Sequence, residues 1–341
     1  MKTKKPYIQY IIFLIICMIF YIIFRNSLSE IWKQVCTTNI TVLVSISIAA
    51  ILYHFMEGHI TFLLASQHRE DYTFLKGLKN SFYASFYRVV TLGSAGGVSA
   101  IYNLHLDHIS VSSGIGLYFV GYVIHKVTIL LYGIFILAAR SQWVHTNFSE
   151  YRWYFVYGYL LGIAVLTILV LLCVSPYAYR LANIILTKLG HKFPTYSVQL
   201  KELDDKLIAL QKETSTLLKN KWLILRLLFD NMLKLTTYYI IPYLIFMQTG
   251  TLSAADSISL VAIIYILAAA IPTPSGVGSI EAVYVLLGVK FMTSIEAAAS
   301  MLLFRFATMI VPCVIGGIYI VCRSLLLSKN RKSSSKEGFH E

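Results

Sequence analysis

Ile271–Glu281 reads I-P-T-P-S-G-V-G-S-I-E: two prolines, two glycines and a glutamate set inside a long apolar block. Hydrocarbon offers backbone groups no hydrogen bonds, so chain that faces lipid stays helical. A break at that depth is tolerated only where protein or a wet cavity surrounds it. When such a break recurs in the other half of a chain, the pair points to a transporter's binding site. A second one is present at Thr91–Tyr102, T-L-G-S-A-G-G-V-S-A-I-Y.

The composition sets the class. The chain has 341 residues, 57% hydrophobic and 13% charged, with mean hydropathy +0.69, against about 25% charged in soluble domains. The apolar residues come in blocks long enough for helical spans, and the alternating segments of a transmembrane barrel are absent. The expected fold is an all-α polytopic membrane protein. The net charge of +13 collects at Lys2, Lys4 and Lys5, in the loop 175–221 and in the tail from Lys329. This pattern follows the positive-inside rule and attraction to anionic headgroups, so no nucleic acid partner is expected. Five cysteines without a C-x-x-C give neither a disulfide framework nor a zinc site. The first apolar block, 7–24, lacks a small-residue cleavage site behind it and reads as an uncleaved anchor.

Full spans are expected at 7–24, 40–65, 113–139, 153–174, 222–247 and 297–322. The broken segments are too short for further pairs of spans. As helices, 257–271 and 279–289 would rise only about 22 and 16 Å, and 81–92 and 97–104 rise less. Both regions therefore read as re-entrant helical hairpins. Lys and Arg place the N-terminus, the loops 66–80 and 175–221 and the tail on the cytoplasmic side, whereas 248–256 carries no basic residue. These assignments agree only if the first hairpin enters from inside and the second from outside. Span–hairpin–span then occurs twice in opposite orientation, over 40–139 and 222–322, which is an inverted repeat. The expected organisation is one transmembrane domain over 1–325 and a disordered basic tail over 326–341. The cytoplasmic loop 175–221 carries an amphipathic helix near 197–218. The protein is placed in the plasma membrane with both termini cytoplasmic.

Ionisable residues inside spans are costly, so each is a site candidate: Glu57, Arg88, Lys126, Asp230, Lys234, Glu281 and Arg305. Glu281 and Arg305 are read either as an ion pair holding the second hairpin to the last span or as direct substrate contacts. Asp230 and Lys234, spaced i, i+4 with Arg226 one turn earlier, read as a mutual pair. Lys126 has no acidic neighbour on its own helix. The second limb of each hairpin starts near the midplane, where its free N–H groups and positive dipole end favour an anion such as a phosphate. The glycines there (Gly96, Gly97, Gly276 and Gly278) let a ligand approach the backbone. His105, Asp107 and His108 form a loop cluster, and His54 and Glu57 share a helix face. Neither has a catalytic or zinc spacing, so no catalytic residue, metal or cofactor is expected. Gly158-x-x-x-Gly162 marks close helix packing.

At these breaks the sequence resembles the membrane region of the lysylphosphatidylglycerol synthase/flippase family, a group of flippase-like integral membrane proteins. The strongest match is A-I-P-T-P-S-G-V-G-S-I-E-A-V-Y, followed by L-L-F-R-F and then Pro312-x-x-x-Gly316. The family motif falls on Pro272, Pro274, Gly276, Gly278, Glu281 and Arg305. S-A-G-G, Tyr102, Lys126 and Lys234 match further positions, and the resemblance covers about residues 5–325. Leu92 and Val98-Ser99 depart from the family pattern. Bifunctional members also carry a large soluble domain that moves an amino acid from tRNA to phosphatidylglycerol, for which a chain ending at Glu341 leaves no room.

The resemblance implies a flippase or transporter that binds or moves an anionic or aminoacylated phospholipid such as lysylphosphatidylglycerol. Glu281, Arg305, Lys126 and Lys234 would bind or gate, with Glu57, Arg88, Asp230, Arg226, Pro272 and Pro274 in structural or ion-pair roles. Two alternatives stand beside it. One is the phosphatidylglycerol lysyltransferase activity of the family name, linked to resistance against cationic antimicrobial peptides. The other is a non-transporting partner of a separate lipid-modifying enzyme.

Overall fold

The computed structural model describes residues 28–91, 93–175, 219–269 and 278–337, with scattered positions between 177 and 217 and side chains as far as Leu325. The expected span 7–24, most of the amphipathic stretch 197–218, and Pro272, Pro274 and Gly276 lie outside the described residues. Among those described, every regular element is helical.

In chain order the helices are α1 (Leu28–Cys36), α2 (Ile40–Ala65), α3 (Phe74–Val90), α4 (Gly96–Leu106), α5 (Val111–Ala139), α6 (Ser141–Phe148) and α7 (Arg152–Val174). After the loop follow α8 (Lys221–Tyr239), α9 (Ile241–Phe246), α10 (Ala254–Ala269), α11 (Ser279–Gly288), α12 (Ser294–Arg305) and α13 (Val311–Glu337). A π-helical turn, Phe306–Ile310, joins α12 to α13. The starts are written in the sequence as side-chain caps, which satisfy N–H groups that a helix leaves open. Asn39 accepts from Thr41 N at 2.9 Å, Ser110 from Ser113 N at 3.1 Å and Asn220 from Leu223 N at 3.0 Å. Thr293 and Glu296 form a reciprocal capping box.

Among the described residues three helices are long and apolar enough to cross a membrane: Ile40–Ala65, Val111–Ala139 and Ser294–Leu325. Three expected boundaries shift. The first limb of the first hairpin begins at Phe74 rather than residue 81, because Thr73 caps it, so Lys76 and Lys79 sit on helix and not in a loop. The stretch 222–247 is not one helix. Pro242 lacks the N–H that would continue the ladder, and α8 yields to α9 at Ile240. The last helix runs to Glu337, past residue 326 where a tail is expected.

Two helical hairpins point in opposite directions. Arg69 Nη1 donates to Asp107 O at 2.7 Å, so the chain before α3 and after α4 returns to one end of the molecule. At the other hairpin, Arg140 Nη2 donates to Asp256 at 2.8 Å, and Lys290 pairs with Glu150, a contact that raises the lysine's pKa. The starts of α10 and the end of α11 thus meet the segment 140–151. These two ends are separated by α5, whose 29 residues extend about 43 Å.

Close backbone approach fixes the first hairpin. A methyl group on Gly77 would lie 2.2 Å from Gly58 O, so α2 and α3 cross with nothing between them. A methyl group on Gly316 would lie 2.3 Å from Phe82 O, which seats α13 on α3 in the same way. The main core lies around α10, where Leu260, Val261, Ile263 and Ile264 meet Ile46, Tyr239, Tyr284 and Phe304.

Candidate functional site

A cavity of about 660 Å³ is bordered by residues from both hairpins. Gly93 and Gly97 contribute from the first, and Ala268, Ser279 and Ile280 from the second. Its other walls come from α2, α5, α7, α8 and the turn after Arg305. Gly97 lies against Tyr118: a methyl group there would meet the ring at 2.8 Å and would have to displace it.

The cavity gathers most of the intramembrane charges. Glu57, Arg88, Lys126, Lys234 and Arg305 all line it. Lys234 is 3% exposed and its Nζ sits 2.6 Å from Glu57 Oε2 and 5.3 Å from the centre of the Tyr53 ring. This overturns the expected Asp230–Lys234 pair. Asp230 instead faces His59, at 3.0 Å from Nδ1, and Arg226 lies 3.4 Å from His59 Nε2. The i, i+4 spacing is real, but α2 packs along this face of α8 and offers each residue a nearer partner.

Glu281 stands just outside the cavity wall and has both oxygens engaged. Oε1 is 2.7 Å from Arg305 Nε, and Oε2 accepts from Gly278 N at 2.6 Å. Gly278 has φ of 93°, a conformation that glycine adopts without cost. The carboxylate therefore caps the N-terminus of α11 and tethers it to α12. The ion-pair reading of Glu281 and Arg305 describes this geometry. The expectation that Gly278 N is free for a ligand does not, because Glu281 takes it.

The first hairpin differs. The start of α4 has no side-chain cap. The Arg88 side chain runs over it, so that a methyl group on Gly96 would sit 3.0 Å from Arg88 Cβ and 3.2 Å from Nε. Lys126 lies 5.4 Å from the Tyr122 ring centre. Among the described residues neither Arg88 nor Lys126 has a carboxylate within ion-pair distance.

The π turn and the aromatic stack were not legible. Tyr53 and Tyr238 stack at 3.6 Å on the cavity wall. Tyr238 Oη donates to Thr308 O at 3.3 Å. Pro312 is the signal that was present: without an N–H it leaves the carbonyl four residues earlier, Thr308, open to another donor. Of the other candidates, His54 Nδ1 lies 2.7 Å from Ser81 Oγ and stacks on Phe82, a packing contact between α2 and α3. Among the described residues no group of His, Cys, Asp and Glu is placed to hold a metal.

A family model described as the lysylphosphatidylglycerol synthase TM region matches residues 9–316. No curated protein and no solved structure matches the chain.

Proposed function

The chain belongs to the lysylphosphatidylglycerol synthase TM region family, multi-pass membrane proteins, and on that premise we propose that its cavity binds the phosphate-bearing headgroup of a phospholipid and passes it between leaflets. In this reading the hairpins are re-entrant, one from each face, and the repeats over 40–139 and 222–322 are inverted halves around the site. The cell membrane is its location and both termini are cytoplasmic.

One observation carries the reading: a charged cavity bordered by the facing ends of α3, α4, α10 and α11, the limbs of two oppositely directed hairpins. Arg88 and Lys126 meet the phosphate, Arg88 beside the open N-terminal turn of α4, where backbone N–H groups favour an anion. Glu57 and Lys234 form an exchangeable pair at the same wall. Leu161, Val165 and Leu166 of α7 also border the cavity, which gives acyl chains an apolar surface beside the headgroup. Glu281 and Arg305 hold the second hairpin rather than touch the ligand through Glu281.

The test is transbilayer movement of a fluorescent phosphatidylglycerol in proteoliposomes, with and without an imposed ion gradient. Wild-type protein accelerates movement over empty liposomes, and Arg88→Gln/Lys126→Gln slows it by about tenfold or more. Equal rates for wild type, the double variant and empty liposomes under both conditions refute the proposal.

A further inference from the structure

We infer that this cavity selects headgroups of net negative charge and rejects the aminoacylated lipid for which the family is named; the inference rests on the headgroup reading above. The ground is a charge count. Four cations line the cavity (Arg88, Lys126, Lys234 and Arg305). Two carboxylates face them: Glu57, against Lys234, and Glu281, against Arg305. Four minus two leaves a surplus of two positive charges, carried by Arg88 and Lys126. His54 and His125 also line the cavity, and protonation of either only enlarges the surplus.

Among the described residues no carboxylate other than Glu57 borders the cavity itself. Asp71, Asp230, Asp256 and Glu150 pair with Arg69, His59, Arg140 and Lys290, and none of the four borders the cavity. Glu296 is held in the capping box at Thr293. The connection 270–277, which joins the limbs of the second hairpin, carries no ionisable residue. Among the described residues no carboxylate balances Arg88 and Lys126, which leaves that role to the charge of a ligand.

Phosphatidylglycerol brings one phosphate and no amine. Its lysyl ester brings the same phosphate with two amino groups, a net charge of about +1 near neutral pH. Those ammonium groups would need carboxylates. Glu281 has both oxygens occupied, and Glu57 is already bound to a lysine that is 3% exposed. Recruiting Glu57 would leave Lys234 unpaired in a cavity that already holds surplus positive charge. At the short separations of one cavity, like charges repel strongly enough to cost about tenfold or more in affinity.

The experiment is native mass spectrometry of the full-length protein in nanodiscs of phosphatidylcholine doped with equal amounts of phosphatidylglycerol and lysylphosphatidylglycerol. Phosphatidylglycerol is expected at about tenfold or more higher occupancy than its lysyl ester. Lys126→Gln narrows the ratio, and Lys126→Glu, which lowers the surplus from two to zero, brings it near one or reverses it. Equal or higher occupancy by the lysyl ester in wild type overturns the selectivity and leaves the headgroup site standing. Occupancy by neither lipid above phosphatidylcholine removes the site and the selectivity with it. Added glycerol phosphate that displaces phosphatidylglycerol at equal concentration keeps the charge preference but assigns it to a soluble phosphate.

Discussion

Replacing Glu281 by glutamine separates its two contacts. The amide oxygen can still accept from Gly278 N, now 2.6 Å from Oε2, so the cap survives. The charge that faces Arg305 Nε at 2.7 Å is lost. Breaking a fully buried pair by removing one partner costs about 3–5 kcal/mol. The side chains here are 15% and 16% exposed, and solvent screening lowers the figure to about 2–3 kcal/mol. At about 2–4 °C per kcal/mol for a mid-sized chain, Glu281→Gln should melt about 4–12 °C below wild type in detergent. Arg305→Gln should fall by a similar amount, because it leaves a carboxylate facing no cation. The double variant places two amides together and recovers part of the loss, giving a coupling of about 2 kcal/mol in a double-mutant cycle. Additive losses, with coupling under about 0.5 kcal/mol, would refute the tether.

Three further outcomes follow from named contacts. In double-mutant cycles with Lys234→Gln, Glu57→Gln should show coupling of about 1–2 kcal/mol and Asp230→Asn under about 0.5 kcal/mol; the reverse order restores the mutual pair on α8. Gly77→Ala should cost more than about 2 kcal/mol, since its methyl group would lie 2.2 Å from backbone. Gly158→Ala, with 3.5 Å of clearance, should stay within about 0.5 kcal/mol, and chromatographic monodispersity with melting temperature separates the two. Pro312→Ala returns an N–H that competes with Tyr238 for Thr308 O and draws the π turn toward α-helix. The Glu281–Arg305 coupling, measured in that background, should fall by about half or more.

The sequence made the helix breaks legible because Pro and Gly interrupt the chain in runs too apolar for surface loops. The second limbs, expected at 97–104 and 279–289, are helices Gly96–Leu106 and Ser279–Gly288. The Glu281–Arg305 contact was legible as a pair because both residues are costly in apolar surroundings and lie near one end of neighbouring elements. Lys234 shows where such reasoning stops. Its spacing from Asp230 is a fact of one helix, whereas its partner Glu57 is 177 residues away, and only the crossing of α2 with α8 brings it near. That crossing depends on interhelical packing, to which a period along one helix is blind. Gly58 and Gly77 were hidden for the same reason: their closeness belongs to a pair of helices and has no spacing in the chain.

The last helical run touches both hairpins. Above the π turn, Arg305 of α12 holds the second hairpin through Glu281. Below it, Gly316 of α13 lies on α3, and Arg323 Nη1 donates to Asn103 of α4 at 2.9 Å. The run is a connecting rod pinned to one hairpin at each end, with its irregular joint at Phe306–Ile310 between the pins. Relative displacement of the hairpins must flex that joint or break a pin. The joint is the cheaper place to yield, because a π turn is less regular than the α-helices it connects. Any change in the spacing of the two hairpins would in this way be concentrated in a single five-residue segment.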